Sequence, residues 1–269
     1  MRIHYFLILT AILLTSFQAG CVRALSDAGG VVTECILPED QLGTISGRWP
    51  VLPVPVALAD GQYSSDDSTA ITSAADSWNE FYSESMGTTL LNYGDGGANS
   101  SSKSRPDSIC AEGIVSGEEY SGEVVVYKDG DWDYDSDIIA LTTFCPIPDD
   151  PYPRIYMGVM ELNYQYFFVS GQKLPDLESI MLHEFGHLIG LNHSCETTEK
   201  ADTPDCTVDN LESDYYYAVM FPIIFFPDDV SGEQRRVLQD NDMGRANCLY
   251  EDIISASEEE TDDSSDDGS

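Results

Sequence analysis

The chain has 269 residues, enough for one moderate domain with extensions and a sizeable buried core. Forty-eight acidic residues against twelve basic ones give a formal net charge of −36. Nucleic acid and anionic lipid surfaces are therefore poor partners, although the charge favours solubility and is compatible with calcium binding.

In chain order, Arg2 gives a weakly basic start, residues 5–17 are apolar, and the small residues Ala19 and Gly20 precede Cys21. These are the parts of a secretory signal over residues 1–20, too short to span a membrane. The placement of Cys21 resembles a bacterial lipoprotein signal, in which that cysteine becomes the lipid-modified mature terminus. Gln18 stands where such signals usually carry an aliphatic residue, and ordinary cleavage near Ala19 is the alternative. On the lipoprotein reading, the protein meets a membrane only through an anchor at Cys21, in an extracytoplasmic setting. Without the anchor it is secreted.

Residues 21–45 read as a tether and 46–250 as the folded domain. Within it, 51-VLPVPVALAD-60 is an expected strand, with prolines restricting one edge. In 66-DDSTAITSAADSWNEF-81, Ala70, Ile71, Ala74, Ala75, Trp78 and Phe81 recur at helical spacing. The run 94-GDGGANSSSKS-104 reads as loop, and 123-EVVVY-127, 138-IIALTTF-144 and 154-RIYMGVMELNY-164 read as strands. The stretch 175-PDLESIMLHEFGHLIG-190 predicts a helix that starts at Pro175 and Asp176 and stops at Gly190. It is apolar on nearly every face and so belongs in the middle of a domain. A last helix is expected over 231–250. Residues 251–269 hold nine acidic side chains and no aromatic, and read as a disordered tail.

Seven cysteines leave one over if the rest are paired. A lipid on Cys21 resolves the odd count and leaves six for three disulfides, which suit an oxidising compartment. Cys195 and Cys206 are expected to pair, because the loop between them is short. The remaining four are assigned as Cys110 with Cys145 and Cys35 with Cys248, and sequence alone leaves their other arrangements open.

The chain has only four histidines, three of them within 183-HEFGHLIGLNH-193. On a helix, His183 and His187 project from one face about a turn apart, close enough to share one metal ion. Gly190 ends the helix and turns the chain, so that His193 approaches from another direction. Three neutral nitrogens leave a fourth tetrahedral position open, the arrangement of catalytic rather than structural zinc. Glu184 has no ligand duty and stands where it can take a proton from water. No spare histidine serves Ser194 or the other hydroxyls as a base, since His4 lies in the signal segment, which excludes a serine or cysteine protease.

This stretch matches in full the H-E-x-x-H-x-x-G-x-x-H signature of the metzincin zinc endopeptidases, which it therefore resembles. Those enzymes carry a methionine turn beneath the metal, and 218-AVMFP-222 resembles it, which makes Met220 the turn residue. Ser194 and the Ala-Val-Met-Phe-Pro form look most like the matrixin branch, as more loosely does 238-LQDNDMGRANCLY-250. The resemblance implies an α+β metzincin-like catalytic domain: a twisted, mostly parallel sheet with an antiparallel edge strand, a central zinc-binding helix and a C-terminal helix. It also implies zinc held by His183, His187 and His193, Glu184 as general base, and protein or peptide substrates. An extended peptide is expected to pair with an edge strand assigned to 154–164, with Pro222 and Ile223 walling an apolar side-chain pocket.

The chain departs from that pattern in places. Met220 lies 27 positions after His193, a longer interval than matrixins usually have. The stretch 105-RPDSIC-110 is only a faint echo of a cysteine-switch propeptide and lies inside the domain. Pro222 cannot supply the tyrosine ligand of astacin-like branches. The run 129-DGDWDYDSD-137 leaves a structural calcium site open beside a plain acidic turn, because Tyr134 and Ala140 stand where an EF-hand loop needs Gly and Glu. The expected function is zinc-dependent endopeptidase. The alternatives are a surface-anchored binding or adhesion protein with structural zinc, and a zinc hydrolase of a non-protein amide.

Overall fold

The computed structural model describes residues 31–94, 98–105, 110 and 123–262. The expected signal segment and Cys21 lie outside the described residues. Among the described residues, no helix is long and apolar enough to cross a membrane.

Six strands form one mixed sheet: β1 (Val54–Ala59), β2 (Leu91–Asn92), β3 (Asn99–Ser101), β4 (Val124–Asp129), β5 (Ala140–Ile147) and β6 (Arg154–Asn163). Their order is β2-β1-β4-β6-β5, and β3 pairs with β1 beyond β2. All pairings are parallel except β5 with β6, which is antiparallel. The expected mostly parallel sheet with an antiparallel edge is therefore present.

The identity of the edge strand is corrected. Residues 154–164, expected at the edge, form β6, which lies between β4 and β5. Eight of its ten residues are buried, and a strand apolar on both faces belongs in a sheet interior. The edge strand is β5, where only Cys145 is buried and where Pro146 has no N–H to donate. A second correction concerns 94–104, read as loop. Its Asn99, Ser100 and Ser101 form β3 against Ala57, Leu58 and Ala59, so tertiary pairing overrides their weak strand preference.

Helix α1 (Ser65–Met86) opens on a capping box between Ser64 and Asp67 and ends at Gly87 in the left-handed region. It buries Ile71, Ala74, Ala75, Trp78, Phe81 and Tyr82 against the sheet and helix α2 (Leu177–Ile189). Each large side chain buried there contributes about 1.5–3 kcal/mol. Asp176 caps α2 by accepting from the Ser179 amide at 3.1 Å. Gly190 ends it at φ +114, where an added Cβ would overlap the Gly47 carbonyl oxygen. The last carbonyls of α2 are not left unpaired: Trp49 Nε1 donates to Leu188 O at 2.7 Å, and the Tyr250 hydroxyl to Ile189 O at 2.8 Å. A short helix α3 (Ser213–Tyr217) precedes the segment that carries Met220.

The final helix α4 runs Asp240–Asp262 rather than 231–250. Residues 231–239 instead strap the start of α2: the Arg235 amide donates to Ser179 Oγ at 2.8 Å, and Arg236 pairs with Asp176. Helical backbone bonding continues past Tyr250, so residues 251–262 of the expected disordered tail are helical. At the other end, the segment read as a tether is docked from Val32 onward. Asn247 Nδ2 donates to Val32 O at 2.7 Å and to Glu34 O at 3.1 Å, and Cys35 is bonded to Cys248. Cys110–Cys145 and Cys195–Cys206 are the other two disulfides, so all three expected pairs form.

Candidate active site

One helix and the loop that follows it bring the histidines together. His183 and His187 leave one face of α2. Beyond Gly190 the chain is held by Leu191 N donating to Gly186 O at 2.9 Å and Asn192 N donating to Thr44 O at 2.7 Å, which carries His193 back to them. Ring centroids lie 4.7 Å (His183–His187), 4.8 Å (His187–His193) and 5.3 Å (His183–His193) apart.

Each Nδ1 meets an acceptor: Val219 O at 2.7 Å from His183, Leu191 O at 2.8 Å from His187, and Glu196 Oε2 at 3.5 Å from His193. An Nδ1–H held by a carbonyl leaves the Nε2 lone pair free to coordinate. The ligand atoms of the three rings all lie within 4.8 Å of one another. Nε2 of His187 and His193 are 3.2 Å apart, close to the roughly 3.3 Å that two nitrogens about 2.0–2.1 Å from one tetrahedral zinc would span.

Burial, and after it the neighbouring His193, draws His183 down to about 3; His187 is drawn well below its usual value by burial and by both other rings. The pair is neutral at physiological pH, the state a metal requires. The donor set fits zinc.

Glu184 is 5% exposed on the same helix. Its Oε2 accepts from the Thr142 hydroxyl of β5 at 2.6 Å. Burial pushes its carboxyl up to about 7, while the Thr142 bond acts in the opposite direction. Met220 is fully buried, and a Cβ on Gly186 would overlap its sulfur. Its carbonyl accepts from Ser194 N at 2.8 Å, and the Ser194 hydroxyl donates to Tyr215 O at 2.7 Å.

Two residues that the sequence reading did not single out hold this arrangement. The buried carboxylate of Asp242 accepts from Val219 N at 2.8 Å and Met220 N at 3.1 Å. Arg245, one turn along α4 and also buried, lies 3.8 Å from Asp242 and donates to Asn192 O at 3.1 Å. One helix thus ties the methionine turn to the loop bearing His193. The available signal was an Asp and an Arg three apart, just before the apolar residues Leu249 and Tyr250 on the same helix.

A cleft of about 720 Å³ runs past the histidines. Thr142 and Phe144 of β5 form one wall, and Phe221, Pro222, Ile223 and Ile224 form the other. Pro222 and Ile223, expected to wall a side-chain pocket, line this cleft.

The other candidate features are placed elsewhere. Cys110, in the stretch with a faint propeptide echo, is bonded to Cys145 and has no thiol to offer. Within 129–137, Asp129 pairs with Arg105 at 3.2 Å and accepts from the Asp131 amide at 2.8 Å. Among the described residues, the histidine trio is the group of metal-ligating side chains that converges, and nothing in the acidic run adds support for calcium.

Residues 77–200 match the family model described as Matrixin. The matched segment runs from within α1 through the three histidines and stops short of Met220. High choriolytic enzyme 1, a hatching enzyme zinc-protease from Oryzias latipes (medaka fish), is similar over 78% of this chain and 95% of its own, at 15% identity and a TM-score of 0.33. The comparison with curated proteins found no match. The matrixin match supports a metzincin-type metalloprotease domain over the segment that holds the site.

Proposed function

We propose that the protein is a zinc-dependent endopeptidase. The observation that carries the reading is the convergence of three imidazoles beside a buried carboxylate in an open cleft bordered by a sheet edge. His183, His187 and His193 would hold the ion, which when bound supplies a Lewis acid and a water of lowered pKa. Glu184 takes the proton of the attacking water and passes it to the departing amine. Among the described residues no strand pairs with the outer edge of β5, which an extended peptide would join. Pro222 and Ile223 favour an apolar side chain after the cut.

Three disulfides support an oxidising, extracytoplasmic setting. Lipid attachment at Cys21 remains the proposed anchor, and intact-mass measurement of the mature protein tests it: an unmodified terminus would refute the anchor.

The functional reading is tested by incubating the purified protein with casein, with chelator, and with zinc added back. Hydrolysis that chelator abolishes and zinc restores is expected. A zinc-loaded protein that cuts neither casein nor any peptide in a diverse mixture would overturn the reading.

A further inference from the structure

We infer that Thr142 is a positioning residue for Glu184, an assignment that rests on the endopeptidase reading above. Thr142 lies on β5, in the wall of the cleft, and reaches α2 through its side chain. Its hydroxyl is 2.6 Å from Glu184 Oε2 and 3.3 Å from the Glu184 carbonyl oxygen. A hydroxyl has one proton to give, and the shorter contact lies in the range of charge-assisted bonds to a carboxylate. The proton therefore goes to Oε2.

Among the described residues, Thr142 is the hydrogen-bond partner of that buried carboxylate. A glutamate has three rotatable bonds, and a base misplaced by about 1 Å can cost on the order of 100-fold in rate. Tying Oε2 to a strand fixes the plane of the carboxylate and leaves Oε1 to meet the water. The strand that supplies this tie is also the sheet edge a peptide would join, so base and substrate are referenced to the same rigid element.

Thr142→Val keeps the β-branched shape and removes the hydroxyl; Thr142→Ser keeps the hydroxyl. Zinc content, kcat and KM are measured for each on a peptide that the wild type cleaves, alongside crystal structures of the metal-free proteins. Thr142→Val is expected to bind zinc fully, to lower kcat roughly 10- to 100-fold with KM within about threefold, and to show a displaced Glu184 carboxylate. Thr142→Ser is expected to restore the carboxylate position and kcat to within about threefold of wild type.

A Thr142→Val protein whose Glu184 keeps its place, or whose kcat stays within about twofold, overturns the assignment, as does a loss in KM alone or a serine variant no better than valine. A wild type that cleaves no peptide overturns the endopeptidase reading instead. That failure is distinguishable, because the carboxylate position is read without turnover.

Discussion

Met220 lies against Gly186, so close that a Cβ on Gly186 would overlap its sulfur and would also stand 3.3 Å from Trp78 Cζ2. The contact falls between His183 and His187 on α2, so the methionine turn meets the helix where the two rings leave it. In an exposed helix, Gly to Ala is favourable by about 1 kcal/mol. Here the methyl group meets a fully buried side chain, and overpacking of that kind costs roughly 1–3 kcal/mol. Overpacking wins, so Gly186→Ala is expected to destabilise the metal-free protein in urea and to weaken zinc binding. Adding Met220→Ala opens room for the methyl, so the double variant should lose less than the sum of the two single losses. A Gly186→Ala protein as stable as wild type would mean the turn is loosely seated.

Asp242 should matter to stability more than a typical carboxylate. Removing it strips acceptors from the amides of Val219 and Met220 and leaves Arg245 without its ion-pair partner in the interior. Breaking a buried pair in this way costs about 3–5 kcal/mol. Asp242→Ala is expected to lose that much in denaturant unfolding and to bind zinc more weakly through the loosened Val219 carbonyl. A loss below about 1 kcal/mol would show that the two amides find other acceptors.

The proposed role of Glu184 as base sets an expected pH dependence. Its carboxyl is raised from the ordinary 4.5 to about 7 by burial. A raised pKa keeps the proton on to higher pH, and a base needs it gone, so activity is present above that pKa and lost as pH falls through it. The positive charge of a bound ion favours the carboxylate and moves the limb downward. Measured from about pH 4 to about 9, kcat/KM should show an acid limb centred at or below about 7. A limb centred above about 8 would assign the titration to another group.

Local spacing carried much of the site. His183 and His187 four apart, Gly190 as the stop, and His193 beyond it need only helix geometry and one left-handed residue. The short loop between Cys195 and Cys206 was similarly readable. What escaped was non-local. Residues 138–144 and 154–164 both read as strands, and which of them lies at the sheet edge depends on the neighbours β6 acquires on each side. The strand Asn99, Ser100 and Ser101 exists only because β1 offers it a partner. Asp242 and Arg245 look like surface charges until α4 is packed against the methionine turn. Thr142 gains a role only once β5 and α2 face each other. Residues 251–262 read as disordered from charge alone, yet a helix already running through Tyr250 needs no fresh nucleation to extend over them.

Zinc content measured beside peptidase rate for Glu184→Ala separates metal binding from catalysis most directly. His183→Ala, His187→Ala and His193→Ala each remove a ligand and should lose zinc and activity together. Glu184→Ala removes none, so it should retain a full equivalent of zinc while the rate drops at least about 10²- to 10⁴-fold, the usual contribution of a general base. A Glu184→Ala protein that binds zinc and cleaves at near the wild-type rate would contradict the assignment of Glu184 as the base.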